Sequence, residues 1–126
     1  MKKFILVLLT SLISIITFAQ PPANADREKK IESLYIAYIT KELKLTESEA
    51  QKFWPIHNEY DKEIKNSAKT AAELEKQQQI LNVKKKYQPK FINILGNERT
   101  DQFFKVDSEF RKRLLERVRK AKKIKE

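Results

Sequence analysis

A single glycine, Gly96, occurs in the 126 residues of this chain. That scarcity removes most of the tight turns a β-sheet protein relies on, because hairpins draw on positive-φ residues such as Asn-Gly or Asp-Gly pairs. Neither pair is present, and no stretch alternates apolar and polar residues for long. Charges of both signs instead mix along helical periods, so the chain reads as all-α.

Four helices are expected, arranged as two bent hairpins. The first starts at Asn24 or Asp26, both good caps, and sets Ile31, Leu34, Tyr35, Tyr38 and Ile39 on one face, ending near Leu43. The second opens at Thr46, with Glu49 three residues on as a capping box and Leu45 and Ala50 placed as a hydrophobic staple. Phe53, Ile56, Tyr60 and Ile64 form its inward stripe. A third helix opens with a second capping box, Thr70 with Glu73, and carries Leu74, Leu81, Tyr87, Phe91, Ile92 and Leu95. Gly96 suits a C-terminal cap, after which Asn97 opens a fourth helix with Phe103, Phe104, Phe110, Leu114 and Val118 inward. Pro55 and Pro89 fall inside helical stretches, where each deletes a backbone hydrogen bond and favours a bend. Such bends fit the helices around their own small core, or curve a thin helical layer into a concave face.

The block Leu45-Thr46-Glu47-Ser48-Glu49, followed by Phe53-Trp54, has a weak echo fifty residues later in Leu95-Gly96-Asn97-Glu98-Arg99, followed by Phe103-Phe104. Ile56/Val106, Glu59/Glu109, Tyr60/Phe110, Lys62/Lys112 and Ile64/Leu114 continue it. A duplicated hairpin gives such a pattern, and so does the apolar spacing that any two amphipathic helices share. The chemistry of both blocks is capping and packing.

Residues 1–19 have the layout of a secretory signal. Lys2 and Lys3 precede an apolar run from Phe4 to Phe18, and Thr17-Phe18-Ala19 supplies small residues for cleavage before Gln20. The run is short of the roughly 20 apolar residues that span a bilayer. The expected organisation is therefore a signal peptide at 1–19, a flexible leader at 20–25, a helical domain at 26–120 and a basic frayed tail at 121–126. Without cysteine there is no disulfide framework and no lipid attachment through sulfur.

The formal charge is +10, or +8 once Lys2 and Lys3 are removed (10 − 2). Lysine and arginine crowd the stretch from Arg111 to Lys125. Export argues against nucleic acid as the partner and leaves acidic polypeptides and anionic membrane surfaces; a solvated helix end is the plainer reading. No catalytic constellation is visible: there is one histidine, no cysteine and no glycine-rich phosphate loop. An enzyme is not expected, nor a cofactor. His57 and Asp61 share a helix face, but two such ligands do not complete a metal site, and none is expected.

Leu45-Thr46-Glu47-Ser48-Glu49 with Phe53-Trp54-Pro55-Ile56 and Glu59-Tyr60 resembles the Spy/CpxP-like family of small exported helical proteins, whose members carry a Leu-Thr-x-x-Gln motif, often twice. The sequence departs from that motif at Glu49 in the first copy and at Gly96 and Arg99 in the second. The resemblance implies a curved helical homodimer in the periplasm that acts as an ATP-independent chaperone for unfolded or partly folded polypeptides. It equally implies a regulatory partner of an envelope-stress or metal-stress membrane sensor. For client contact the expected residues are Trp54 and Phe104, each one position off its helix's apolar stripe, together with Lys84, Lys85 and Lys86. The helix-capping set is Leu45, Thr46, Glu49, Leu95 and Asn97.

Overall fold

A computed structural model describes residues 23–69 and 72–125. The expected signal peptide, residues 20–22 of the expected leader and the expected cap residue Thr70 lie outside the described residues. Apart from short connections, the described chain is helical: α1 (Ala23–Glu42), α2 (Glu47–Ser67) and α3 (Glu73–Lys125). The count is three helices, where four were expected. What separates the third from the expected fourth is one residue inside α3, Gly96, at φ 80 and ψ 172. That backbone region is close to glycine-only, so the lone glycine of the sequence stands where the chain turns. The turn is sharp. Phe91 and Phe103 would be about 18 Å apart along a straight helix, yet their ring centroids lie 4.8 Å apart.

Side-chain contacts give the directions of the segments. Before Gly96, α3 runs antiparallel to α2: Glu63 meets Lys86 and Tyr87, and Phe53 meets Phe91. After Gly96, α3 runs parallel to α2 and antiparallel to α1, where Arg99 reaches the Leu43 carbonyl and Tyr35 reaches Asp107. Both prolines lie within unbroken helix and are exposed. An exposed proline ring leaves the orphaned carbonyl of the preceding turn open to water, which makes the missing hydrogen bond tolerable.

The Thr46–Glu49 capping box forms. Glu49 N–H donates to the Thr46 hydroxyl at 3.1 Å, and Thr46 N–H donates to the Glu49 carboxylate at 3.2 Å. Glu49 also takes Arg99 through both carboxylate oxygens, and Arg99 adds bonds to the carbonyls of Leu43 and Leu95. The hydrogen bonds from Arg99, helped by those from Thr46, hold the Glu49 carboxyl down at about 2. The last residues of the two five-residue blocks thus bind each other. Glu49 and Arg99 depart from the resembled motif as a matched ion pair.

Phe53, Tyr60, Phe91 and Phe103 are fully buried and stack on one another, with Ile39 and Leu43 closing the core from α1. Several expected core residues are outside it. Leu34 is 52% exposed, Leu74 82%, Leu81 44% and Val118 44%. Leu74 and Val118 lie towards the two ends of α3, where helical periodicity continues but the side chains stay exposed. The segment 121–125, expected as a frayed tail, continues the helix.

Gly96→Ala should lower the unfolding free energy by about 2 kcal/mol, because alanine has no low-energy conformation at that φ and ψ, although a Cβ there would meet nothing. Urea unfolding followed by circular dichroism measures it. Tyr60→Phe tests the opposite sign. The Tyr60 hydroxyl is buried and without a hydrogen bond to protein, so its removal should leave stability unchanged or raise it by about 1 kcal/mol in the same assay.

Candidate functional site

At the end of the bundle where α1 begins and α2 finishes, an open cleft of about 610 Å³ lies between α1, α2 and the later part of α3. Tyr35, Trp54, Phe110 and Leu114 form apolar walls; Glu28, Glu32 and Lys65 stand at the rim, and His57, Asp61 and Arg111 contribute polar floor. Ile31, Phe110 and Leu114 also line a second groove of about 240 Å³, where Leu34 and Tyr38 meet Arg113 and Arg117.

The floor is a chain of hydrogen bonds centred on the Tyr35 hydroxyl. That hydroxyl donates to Asp107 Oδ1 at 2.7 Å and contacts His57 Nε2 at 2.8 Å. Having given its one proton to the carboxylate, it accepts from His57, which assigns the proton of a neutral imidazole to Nε2. His57 Nδ1 is then a buried acceptor without a protein partner. Asp107 further receives Arg111 Nε at 3.2 Å. Arg111 reaches Asp61 at 3.0 Å, and Lys65 closes on Asp61 at 2.7 Å.

Burial sets the protonation of this cluster. It drives the Tyr35 phenol well above its usual value, reinforced by Asp107. It pushes the His57 imidazole down, with Asp61 and Asp107 pulling the other way. Burial also opposes the Arg111 charge, but Asp107 and Asp61 hold its pKa above the ordinary guanidinium value. At Asp61 burial is outweighed by hydrogen bonds from Lys65 and Arg111, which lower the pKa. His57 and Asp61 are therefore engaged with Tyr35 and Arg111. Among the described residues no three histidine or acidic side chains converge on a common point.

The expected client-contact residues separate onto different sides of the molecule. Trp54 is half-buried in the cleft wall, edge-on to Phe53 at 4.9 Å and to Tyr35 at 6.4 Å. Phe104 is half-buried elsewhere, against Tyr60, Phe91 and Phe103. Lys84 is half-buried, Lys85 is exposed, and exposed Lys86 pairs with Glu63 at 2.8 Å. Of the capping set, Thr46 and Glu49 form the box, Leu45 and Leu95 pack into or against the core, and Asn97 is exposed.

The helical pattern did not single out Asp107, which holds the Tyr35 hydroxyl, or Arg111, which lines the cleft. A signal for them existed. Asp107 follows His57 by fifty residues and Arg111 follows Asp61 by fifty, the same interval as Phe53–Phe103 and Glu49–Arg99. The echo holds complementary residues as well as similar ones, and both lie in it.

Comparisons with protein-family models, curated proteins and solved structures found no match to this chain. Among the described residues no helix is long and apolar enough to cross a membrane.

The His57 environment has a measurable consequence. A histidine whose folded pKa lies below its unfolded value of about 6.5 binds fewer protons when folded. Its contribution to stability is complete above that pH and is lost as pH falls from there towards the folded value. His57→Gln keeps a donor for Tyr35 and does not titrate, so melting temperatures of the variant should stay flatter than the parent's between about pH 7 and 5. Identical pH profiles would refute the buried neutral imidazole.

Proposed function

We propose that this protein is a periplasmic, ATP-independent, chaperone-like binder of unfolded or partly folded polypeptides. One observation supports this most: an open apolar cleft and a second groove share Ile31, Phe110 and Leu114, and both are bordered by charged side chains. Apolar client side chains gain by leaving water in such a place. Arg113 and Arg117 at the border, with the positive net charge, attract acidic segments at long range. The contact is wet and shallow, which suits release of a client that folds. The resemblance carried by Leu45-Thr46 and Phe53-Trp54-Pro55 points the same way and adds a working unit: a homodimer of bent hairpins, with Gly96 dividing α3 into the third and fourth arms.

The test dilutes a chemically denatured client into buffer without nucleotide, with and without the chain from Gln20 onward, and follows light scattering. Suppression at equimolar protein is expected, weakening with salt as charge attraction is screened. Ile36 lines the cleft and is 40% exposed, so Ile36→Asp should reduce suppression while the melting temperature stays near that of the parent. Scattering unaffected by the parent protein would end the proposal. Mass measured in solution under the same conditions counts the chains.

A further inference from the structure

Arg117 is the last residue of α3 to line the second groove, and the end of the helix carries its own surface. From Lys112 to Lys125 every side chain except half-buried Leu114 is exposed, and this stretch of helix is about 21 Å long. Among the described residues, no ion pair or side-chain hydrogen bond engages any residue of the stretch. Eight lysines and arginines stand there against a single acid, Glu116. The apolar residues are ordered: Leu115, Val118, Ala121 and Ile124 recur every third position. At helical pitch they span about half of the circumference, a half that Arg117, Lys122 and Lys125 share, with Lys112, Arg113, Arg119, Lys120 and Lys123 on the other half. Leu115 is 58% exposed and Ile124 86%.

We propose that this end of α3 docks on the surface of an anionic lipid bilayer, lying in the headgroup plane with Leu115, Val118 and Ile124 towards the acyl chains. Charge complementarity selects the partner, and the apolar row narrows it. An acidic polypeptide would satisfy the cations but leave the row in water. The boundary between headgroups and acyl chains takes both faces at once. Arg117, Lys122 and Lys125 lie within the apolar half, where their long stems can run beside the row while the charges reach phosphate. The segment is too polar to insert across a membrane, so contact is peripheral and reversible. Docking of this kind would hold the cleft near the membrane surface, but it requires nothing of the cleft itself.

The test is co-sedimentation of the chain from Gln20 onward with vesicles of phosphatidylglycerol and phosphatidylcholine, and with vesicles of phosphatidylcholine alone. Binding is expected only to the anionic vesicles at low salt. Replacing Arg119, Lys120 and Lys123 with glutamine should reduce partitioning roughly a hundred-fold, at roughly five-fold for each cation. The triple variant Leu115→Ser, Val118→Ser, Ile124→Ser keeps every charge and should lose roughly ten-fold or more through the missing apolar contact. All six positions are exposed, and circular dichroism verifies that both variants keep the parent's helical signal. Absence of binding to anionic vesicles overturns the proposal. Unaltered binding of the serine variant also overturns it, because charge alone would then account for the interaction.

Discussion

The structure depends on a row of contacts between α2 and the later part of α3, made at a constant interval of fifty residues. Glu49 binds Arg99, Phe53 packs edge-on against Phe103, His57 and Asp107 share the Tyr35 hydroxyl, and Asp61 binds Arg111. Each position follows the last by four residues, so two rows of side chains at helical spacing face each other. A constant interval means that the two helices run parallel. For that to happen in one chain, α3 must reverse direction between them, and Gly96 is where it does so.

The order along this row divides the molecule into parts with different work. At its start the Glu49–Arg99 pair sits over the α2 capping box and ties the loop after α1 to the turn in α3. In its middle the aromatic pair is fully excluded from water and forms the centre of the core. At its far end the contacts become polar and the helices part, leaving the cleft. Two charge pairs at the ends with an aromatic pair between them specify one register. Sliding either helix by one turn would set Asp107, still paired with Arg111 of its own helix, against a carboxylate or a phenyl ring, and would part Glu49 from Arg99.

Tyr35 is the means by which α1 joins this arrangement. The other α1 contacts are apolar or made to backbone near its end, whereas Tyr35 reaches across to the histidine of one helix and the carboxylate of another. Its hydroxyl reports the relative placement of all three segments. The cleft beside it is lined by aromatic walls, by a buried imidazole bonded to the Tyr35 hydroxyl, and by Asp61 and Arg111 paired with each other. The basic end of α3 extends away from this centre and has a different character, a surface without an interior.

The helices themselves were legible in the sequence. The capping box at Thr46 and Glu49, the buried stripe of Phe53, Tyr60 and Ile64, and the break at Gly96 are local matters of propensity, capping and backbone sterics, which a short window contains. Burial was less legible. Leu34, Leu74 and Val118 obey helical periodicity as well as Phe91 does, but periodicity records which face a residue is on, and only the packed neighbours decide whether anything covers it. The cleft was hidden for a stronger reason. Tyr35 and Asp107 are 72 residues apart, and their hydrogen bond depends on two turns both closing with the correct angle. By itself, then, the sequence determined the elements and the place of the turn, because those follow from interactions a few residues long. Tertiary structure alone decided that Glu49 and Arg99 are partners, that burial beside a tyrosine lowers the His57 pKa, and which apolar side chains remain exposed to water. Those outcomes follow from the parallel alignment of two helices that no local interaction specifies.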